Sequence, residues 1–241
     1  MIAWLRGAMP FPPVSAALAE PNGLLAVGGD LTPARLIDAY GRGIFPWYSS
    51  GQPIMWWNPD PRMVLYVDEM RVTRSLRKRV QSGVFETRVD TAFRDVIEAC
   101  ATAPRAGQGG TWITPEMVDA YCDLHRRGYA HSVESWRDGQ LVGGLYGLAL
   151  GRVFFGESMF AHESDASKVA LVKLVAHLQQ VGVPLVDCQQ ETAHLASFGA
   201  RPIARARFAA HLGELIHSAD PPAGWRGLRP GETRPVTNHA R

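Results

Sequence analysis

Residues 141–160 read LVGGLYGLALGRVFFGESMF, two apolar runs of strand length on either side of Gly151 and Arg152. A Gly-plus-polar break between runs rich in Val, Phe, Leu and Tyr predicts a β-hairpin. The second run also places a carboxylate, Glu157, in oily surroundings, where it demands a partner or a cationic ligand. Residues 184–190, PLVDCQQ, repeat the pattern with Asp187 and Gln189. Alternation along a strand puts those two on one face and turns Cys188 away. Between the two stretches, residues 164–180 carry Val169, Leu171, Leu174, Val175 and Leu178 at helical density. Strand, helix, strand in that order predicts a parallel crossover, with the polar groups of both strands forming a reaction site on the sheet.

The chain upstream is different in composition. Residues 1–62 hold prolines at 10, 12, 13, 21, 33, 46, 53, 59 and 61, which forbids long regular elements and predicts loops around short helices. One helix is expected over 33–42, with Thr32 as its cap, Pro33 at its first position and Leu36, Ile37 and Tyr40 as its apolar stripe. Trp56 and Trp57 read as a small core, whereas the Phe-Pro-Trp-Tyr turn at 45–48 holds the Trp47 ring at a surface. A strand is expected over 63–67 and another over 85–89, with an amphipathic helix over 91–101. Between those strands lies the most basic window, RVTRSLRKR at 71–79, whose Arg74, Arg77 and Lys78 share one helix face suited to phosphate contacts. A solvated helix surface is the plainer reading of the same charges. The loop PRAGQGG at 104–110 lacks the Lys-Ser/Thr ending of a phosphate cradle. Helix 115–127, capped by Thr114, strand 130–136 and a short helix over 192–198 complete the pattern. Residues 208–217 read as strand or helix, and the tail from Ala219 as irregular.

Composition bounds the function classes. Twenty-five Lys and Arg against 23 Asp and Glu give a net charge of +2, which argues against wholesale coating of nucleic acid and leaves only a local patch. Cys100, Cys122 and Cys188 have neither C-x-x-C spacing nor histidines at zinc-ligand intervals, so reduced thiols without a metal are expected. No apolar run is long enough for a signal peptide or a membrane span, so the expected location is cytoplasmic.

Taken jointly, NGLLAVGGDLTPARLIDAYGRGIFPWYS, MWWNPDPRMVL, GTWIT, LVGGLYG, FFGESMF, ASK and DCQ with the following HLASFGA carry a resemblance over residues 11–208. The chain resembles the bacterial leucyl/phenylalanyl-tRNA protein transferases. That resemblance implies an α+β fold, a GNAT-like acyltransferase domain with a mixed central sheet flanked by helices over 63–241, behind a small N-terminal domain over 1–62. It further implies transfer of Leu, Phe or Met from aminoacyl-tRNA to the N-terminal Arg or Lys of a protein, which marks that protein for degradation under the N-end rule. Neither Ala161, where Ser is common in the family, nor Phe198, where Leu is commoner, touches the expected chemistry.

An aminoacyl ester is already activated, so no cofactor or metal is required. What remains is positioning, proton removal and oxyanion stabilisation. Gln189 is the candidate acceptor of the amine proton, or else only aligns an amine that arrives neutral. Asp187 is the candidate that polarises or orients the Gln189 amide; the plainer alternative is that it satisfies buried backbone donors. Glu157 either holds the incoming Arg or Lys or makes an internal salt bridge to an arginine. Leu145, Phe154, Met159, Leu171 and Val186 are candidates for the apolar pocket, and Trp47 and Trp112 for stacking on the terminal adenosine. Arg74, Arg77 and Lys78 would meet the tRNA by backbone charge.

Rival readings are disfavoured by residues. A CoA-dependent N-acetyltransferase needs a Gly-rich pyrophosphate loop, where this chain has AHESDASK at 161–168. A serine hydrolase at Ser158 lacks the second glycine of a nucleophile elbow. A non-catalytic tRNA- or peptide-binding adaptor would have no use for both Asp187 and Gln189.

Overall fold

The computed structural model describes residues 2–103 and 111–216. Gly151, at φ +53°, and Arg152 reverse the chain between two long strands, as the hairpin reading requires. In chain order the strands are β1 (Ala3–Leu5), β2 (Leu24–Gly28), β3 (Phe45–Pro46), β4 (Met55–Trp57), β5 (Arg62–Tyr66), β6 (Glu86–Val89), β7 (Ala130–Arg137), β8 (Gln140–Leu150), β9 (Val153–Ala161), β10 (Leu185–Gln189) and β11 (Arg201–Ile203). The helices are α1 (Pro33–Gly41), α2 (Arg74–Gln81), α3 (Phe93–Thr102), α4 (Pro115–Arg126), α5 (Ala166–Gln180), α6 (Ala193–Ser197) and α7 (Arg205–Leu215). The ambiguous segment after Phe208 is thus helical as far as Leu215. The expected loop at 104–110 and the expected irregular tail from Ala219 lie outside the described residues.

Seven strands form one mixed sheet in the order β11-β5-β10-β9-β8-β7-β6. Neighbours are antiparallel except β9 and β10, which run parallel and are joined through α5. Side-chain alternation then sorts the apolar residues into two cores, one per face. Phe155, Tyr146 and Leu148 turn to the face covered by α1, α3, α4 and α7. Phe154, Leu145 and Ala149 turn to the face covered by α2 and α5. Gly143 permits the close seat of α5, because a Cβ there would stand 2.5 Å from that of Ala166.

The N-terminal stretch corrects one expectation. It holds a four-stranded sheet, β1-β2-β4-β3, in addition to α1. Its strands are two to five residues long, a length the prolines around them impose and one that period-two reading cannot detect. Thr32 precedes α1 as expected, yet its hydroxyl donates to Asp30 Oδ1 at 2.6 Å and does not cap the helix. Thr114 does cap α4, accepting from the Met117 N–H. At α3 the cap comes from another element: Glu134 of β7, fully buried, accepts the N–H groups of Thr91 and Ala92 at 2.9 and 3.0 Å.

Candidate functional site

β10 does not run straight to its end. Asp187 faces Val64 of β5 and Gln189 faces Met63, so Cys188 is an extra residue and the ladder slips. Gln189 takes φ +60°, a conformation uncommon for a side chain larger than glycine and one that clusters at functional sites. The bulge shifts the ladder but keeps the expected sidedness: Cys188 packs with Val186 against the second core, while Asp187 and Gln189 meet Arg62 and Glu157 away from it.

Asp187 is fully buried and bound to an equally buried Arg62, with Nε to Oδ1 at 2.8 Å and Nη2 to Oδ2 at 2.6 Å. Arg62 also donates to the Gly43 carbonyl at 2.9 Å and lies 4.8 Å from the ring centroids of both Phe45 and Phe208. The bidentate fork satisfies charges that would otherwise be costly to bury. Oδ1 of Asp187 further accepts the main-chain N–H of Gln189 at 2.9 Å. The expectation that Asp187 orients the Gln189 side-chain amide is therefore corrected: the carboxylate holds the backbone of the bulge, which is the plainer alternative the sequence left open.

Glu157 is the group that meets the Gln189 side chain. Gln189 Nε2 donates to Glu157 Oε1 at 2.6 Å, and Tyr40 Oη lies 2.6 Å from the same oxygen. Tyr121 Oη lies 3.2 Å from Oε2, and the two tyrosine hydroxyls are hydrogen-bonded to each other. Burial pushes the Glu157 carboxyl up to about 8, with the nearby Asp187 charge adding to the rise and the surrounding donors opposing it. Burial and the Glu157 carboxyl raise both tyrosines well above their ordinary value. The internal arginine bridge expected of Glu157 belongs instead to Asp187, and hydrogen bonds from Tyr40, Tyr121 and Gln189 converge on the Glu157 carboxyl.

These groups border a cavity of about 390 Å³, within the range of small-molecule sites. Leu145, Phe154, Met159, Leu171 and Val186 all line it, joined by Leu65, Leu174 and Leu195. Trp47, Trp112, Glu157, Asp187 and Gln189 border the same space, with Ser158 and His194 also on its wall. Trp47 and Trp112 are half-buried, and the Trp47 ring packs edge-on against Trp57 at 5.7 Å. Burial and the neighbouring Lys168 lower the His194 pKa. Burial pushes the Cys188 thiol above its ordinary value, which favours the protonated form. Arg74, Arg77 and Lys78 stand exposed on α2, whose Leu76 is buried beneath them. No cluster of His, Cys, Asp and Glu able to hold a metal ion exists among the described residues. Nor, among them, is any helix long and apolar enough to cross a membrane.

Arg62, Tyr40 and Tyr121 escaped the sequence reading. Tyr40 and Tyr121 pass for members of apolar helix stripes, although a buried hydroxyl needs a partner. Arg62 opens an apolar strand, and a cation entering a core must find an acid such as the one within β10.

The leucyl/phenylalanyl-tRNA protein transferase family model matches residues 64–213, and the model of that family's N-terminal domain matches residues 29–60. A leucyl/phenylalanyl-tRNA–protein transferase of Aromatoleum aromaticum is 60% identical over 93% of this chain and 94% of its own length. One from Azoarcus sp. is 60% identical over 96% of this chain and 98% of its own. One from Chromobacterium violaceum is 57% identical over 93% and 96% respectively. Among solved structures, L-PGS from Bacillus licheniformis superposes with a TM-score of 0.40 at 10% identity, over 70% of this chain and 54% of its own. A GCN5-related N-acetyltransferase from Kribbella flavida gives 0.34 at 13% identity, over 71% and 61%.

Proposed function

The chain belongs to the leucyl/phenylalanyl-tRNA protein transferase family, and from that premise we propose that it moves Leu, Phe or Met from aminoacyl-tRNA to the α-amine of a protein beginning with Arg or Lys. The observation that carries the reading is the cavity itself: an apolar chamber of about 390 Å³ with Gln189 on its wall. Branched and aromatic side chains of different shape fit a chamber lined by Leu and Met, because Met and Leu adapt to their guests. Trp47 and Trp112, half-buried on the same wall, supply flat faces for an unstacked terminal adenosine.

The reaction is acyl transfer. The amine nitrogen attacks the ester carbonyl carbon, a C–N bond forms, the C–O bond to the ribose breaks, and the surplus amine proton ends on the released ribose hydroxyl. An amide oxygen is too weak a base to carry that proton away, so Gln189 aligns a neutral amine by accepting one N–H. A protein α-amine has a reference pKa of about 7.7–8.0, so a working fraction is neutral at physiological pH. Asp187 acts on this group through the backbone, by holding the bulge that presents Gln189. Arg74, Arg77 and Lys78 form an exposed basic face that reads phosphate charge without reading bases, which suits an enzyme serving more than one tRNA. The division at residue 62, a cytoplasmic setting and a role in N-end-rule degradation belong to the same reading.

The test is to incubate the protein with radiolabelled phenylalanyl-tRNA and a peptide beginning with Arg, beside a second reaction with labelled acetyl-CoA. Label in the peptide from the tRNA only is expected. Label from acetyl-CoA, or from neither donor, overturns the reading.

A further inference from the structure

Three contacts between oxygens close a triangle at the cavity wall: Tyr40 with Tyr121, Tyr40 with Glu157 Oε1 at 2.6 Å, and Tyr121 with Glu157 Oε2 at 3.2 Å. Each such contact needs one proton. The two hydroxyls supply two, so an ionised Glu157 would leave one pair of oxygens facing each other with no proton between them. A protonated Glu157 completes the set. Its Oε2–H donates to Tyr121, Tyr121 donates to Tyr40, and Tyr40 donates to Oε1. The ring leaves Oε1 able to accept the Gln189 amide N–H as well, at 2.6 Å.

We propose that Glu157 works as a neutral acid whose proton closes a hydrogen-bonded ring with Tyr121 and Tyr40, and that this ring fixes the Gln189 amide so that its NH₂ is held and its carbonyl oxygen is turned toward the acceptor amine. Tyr40, Tyr121 and Glu157 are then positioning residues for the transfer, which act through Gln189. This rests on the acyl-transfer reading above.

Burial and the neighbouring charge favour the neutral form, against the opposing pull of the Tyr40, Tyr121 and Gln189 donors. On β10, Asp187 already carries the local negative charge, matched by Arg62, and a second carboxylate beside it would be repelled. The thiol of Cys188, also on β10, stays protonated. From α1 and α4 come only the hydroxyls of Tyr40 and Tyr121, with Tyr48 farther along beside Tyr121. His194 shares the cavity wall and is held toward its neutral form. No lysine or arginine lies among the described residues that line the cavity.

The ring also gives the tyrosines a reason to come from different elements. Tyr40 belongs to α1 in the N-terminal stretch, Tyr121 to α4, Glu157 to β9 and Gln189 to β10. Four separate parts of the chain must be in place before the amide has a single orientation, since a lone carboxyl–amide pair permits the amide to turn over.

The deciding comparison is Glu157→Ala against Glu157→Gln in the full-length protein. A glutamine reproduces the donor–acceptor pattern of a neutral acid: its Nε2–H replaces the carboxyl proton and its Oε1 still accepts. Glu157→Ala should lower kcat for phenylalanyl transfer by about tenfold or more, and Glu157→Gln should restore most of that loss at neutral pH. Wild-type kcat should fall as pH rises through about 8, while Glu157→Gln shows no such fall. Tyr121→Phe should lower kcat with little change in KM for either substrate. Equal inactivity of the Gln and Ala variants, or the same alkaline limb in wild type and Glu157→Gln, overturns the ring while the family activity of the wild type stands. Infrared spectroscopy of the free protein gives a readout independent of turnover. A protonated-carboxyl band present at pH 6 in wild type and missing from Glu157→Gln is expected, and its absence from wild type overturns the inference whatever the assay shows. Failure of wild type to use phenylalanyl-tRNA would remove the reading on which the inference rests.

Discussion

Oδ1 of Asp187 accepts both the Arg62 Nε–H, at 2.8 Å, and the main-chain N–H of Gln189, at 2.9 Å. One buried oxygen thus ties the charge pair under the sheet to the backbone of the residue proposed to align the amine. On the proposed reading, Asp187 places Gln189 and does not touch the reacting atoms. Its loss should be felt in folding as well as in rate.

Truncation of Asp187 leaves the Arg62 guanidinium buried and unmatched. Asp187→Ala should therefore destabilise the protein by about 3–5 kcal/mol, measured by chemical denaturation. The double variant Arg62→Met with Asp187→Leu should recover a large part of that loss, because no isolated charge then remains in the core. If Asp187→Ala unfolds at the same denaturant concentration as wild type, the pair is not the anchor described.

Glu157 makes stability depend on pH in a stated direction. Its folded pKa, about 8, lies above the ordinary 4.5, so between those values the folded state holds one proton more than the unfolded chain. The stabilisation is complete below the ordinary value and is lost as pH rises to the folded one. Relative to Glu157→Gln, wild type should lose about 1.4 kcal/mol per pH unit across this window. Denaturation of both proteins at pH 5, 6, 7 and 8 measures the slope, and parallel curves would refute it.

On the proposed reading, the apolar chamber takes the side chain being transferred. Leu171→Phe adds bulk at a wall already lined by Phe154 and Met159. It should lower kcat/KM for phenylalanyl-tRNA by about tenfold more than for leucyl-tRNA, the discrimination expected for a small change of pocket volume. Equal losses for both donors would place the transferred side chain elsewhere.

On α2, replacement of Arg74, Arg77 and Lys78 by Ala should weaken tRNA binding and reduce the slope of log K against log salt by about 2–3, one counterion contribution per lost cation. Binding measured from 50 to 200 mM salt tests this. An unchanged slope would remove this helix from the tRNA path.

Much of this arrangement was legible beforehand, and the failures have physical causes. Residues 141–160 alternate and break at a glycine, so the hairpin could be read directly. The strand–helix–strand unit around α5 followed from length and apolar density. The apolar candidates Leu145, Phe154, Met159, Leu171 and Val186 do stand around one cavity. The short strands of the N-terminal sheet carry too few residues for a period to appear, and their pairing is fixed by contacts distant in sequence. The bulge at Cys188 was hidden for a related reason: nothing local in LVDCQ announces an extra residue, because the slip is set by where Val64 and Met63 lie on β5. Tyr40 and Tyr121 lay concealed because helical spacing reports which face is buried and not which hydroxyls meet there.

The position of Arg62 between Phe45 and Phe208 has a mechanical consequence. Its guanidinium touches a ring from the small sheet, a ring from the last described helix and a carboxylate from the large sheet. Three regions remote along the chain are riveted at one point beneath the chamber floor. The strand that leads into Trp47 is thereby tied, through Phe45, to the same charge pair that seats Asp187 on the chamber wall.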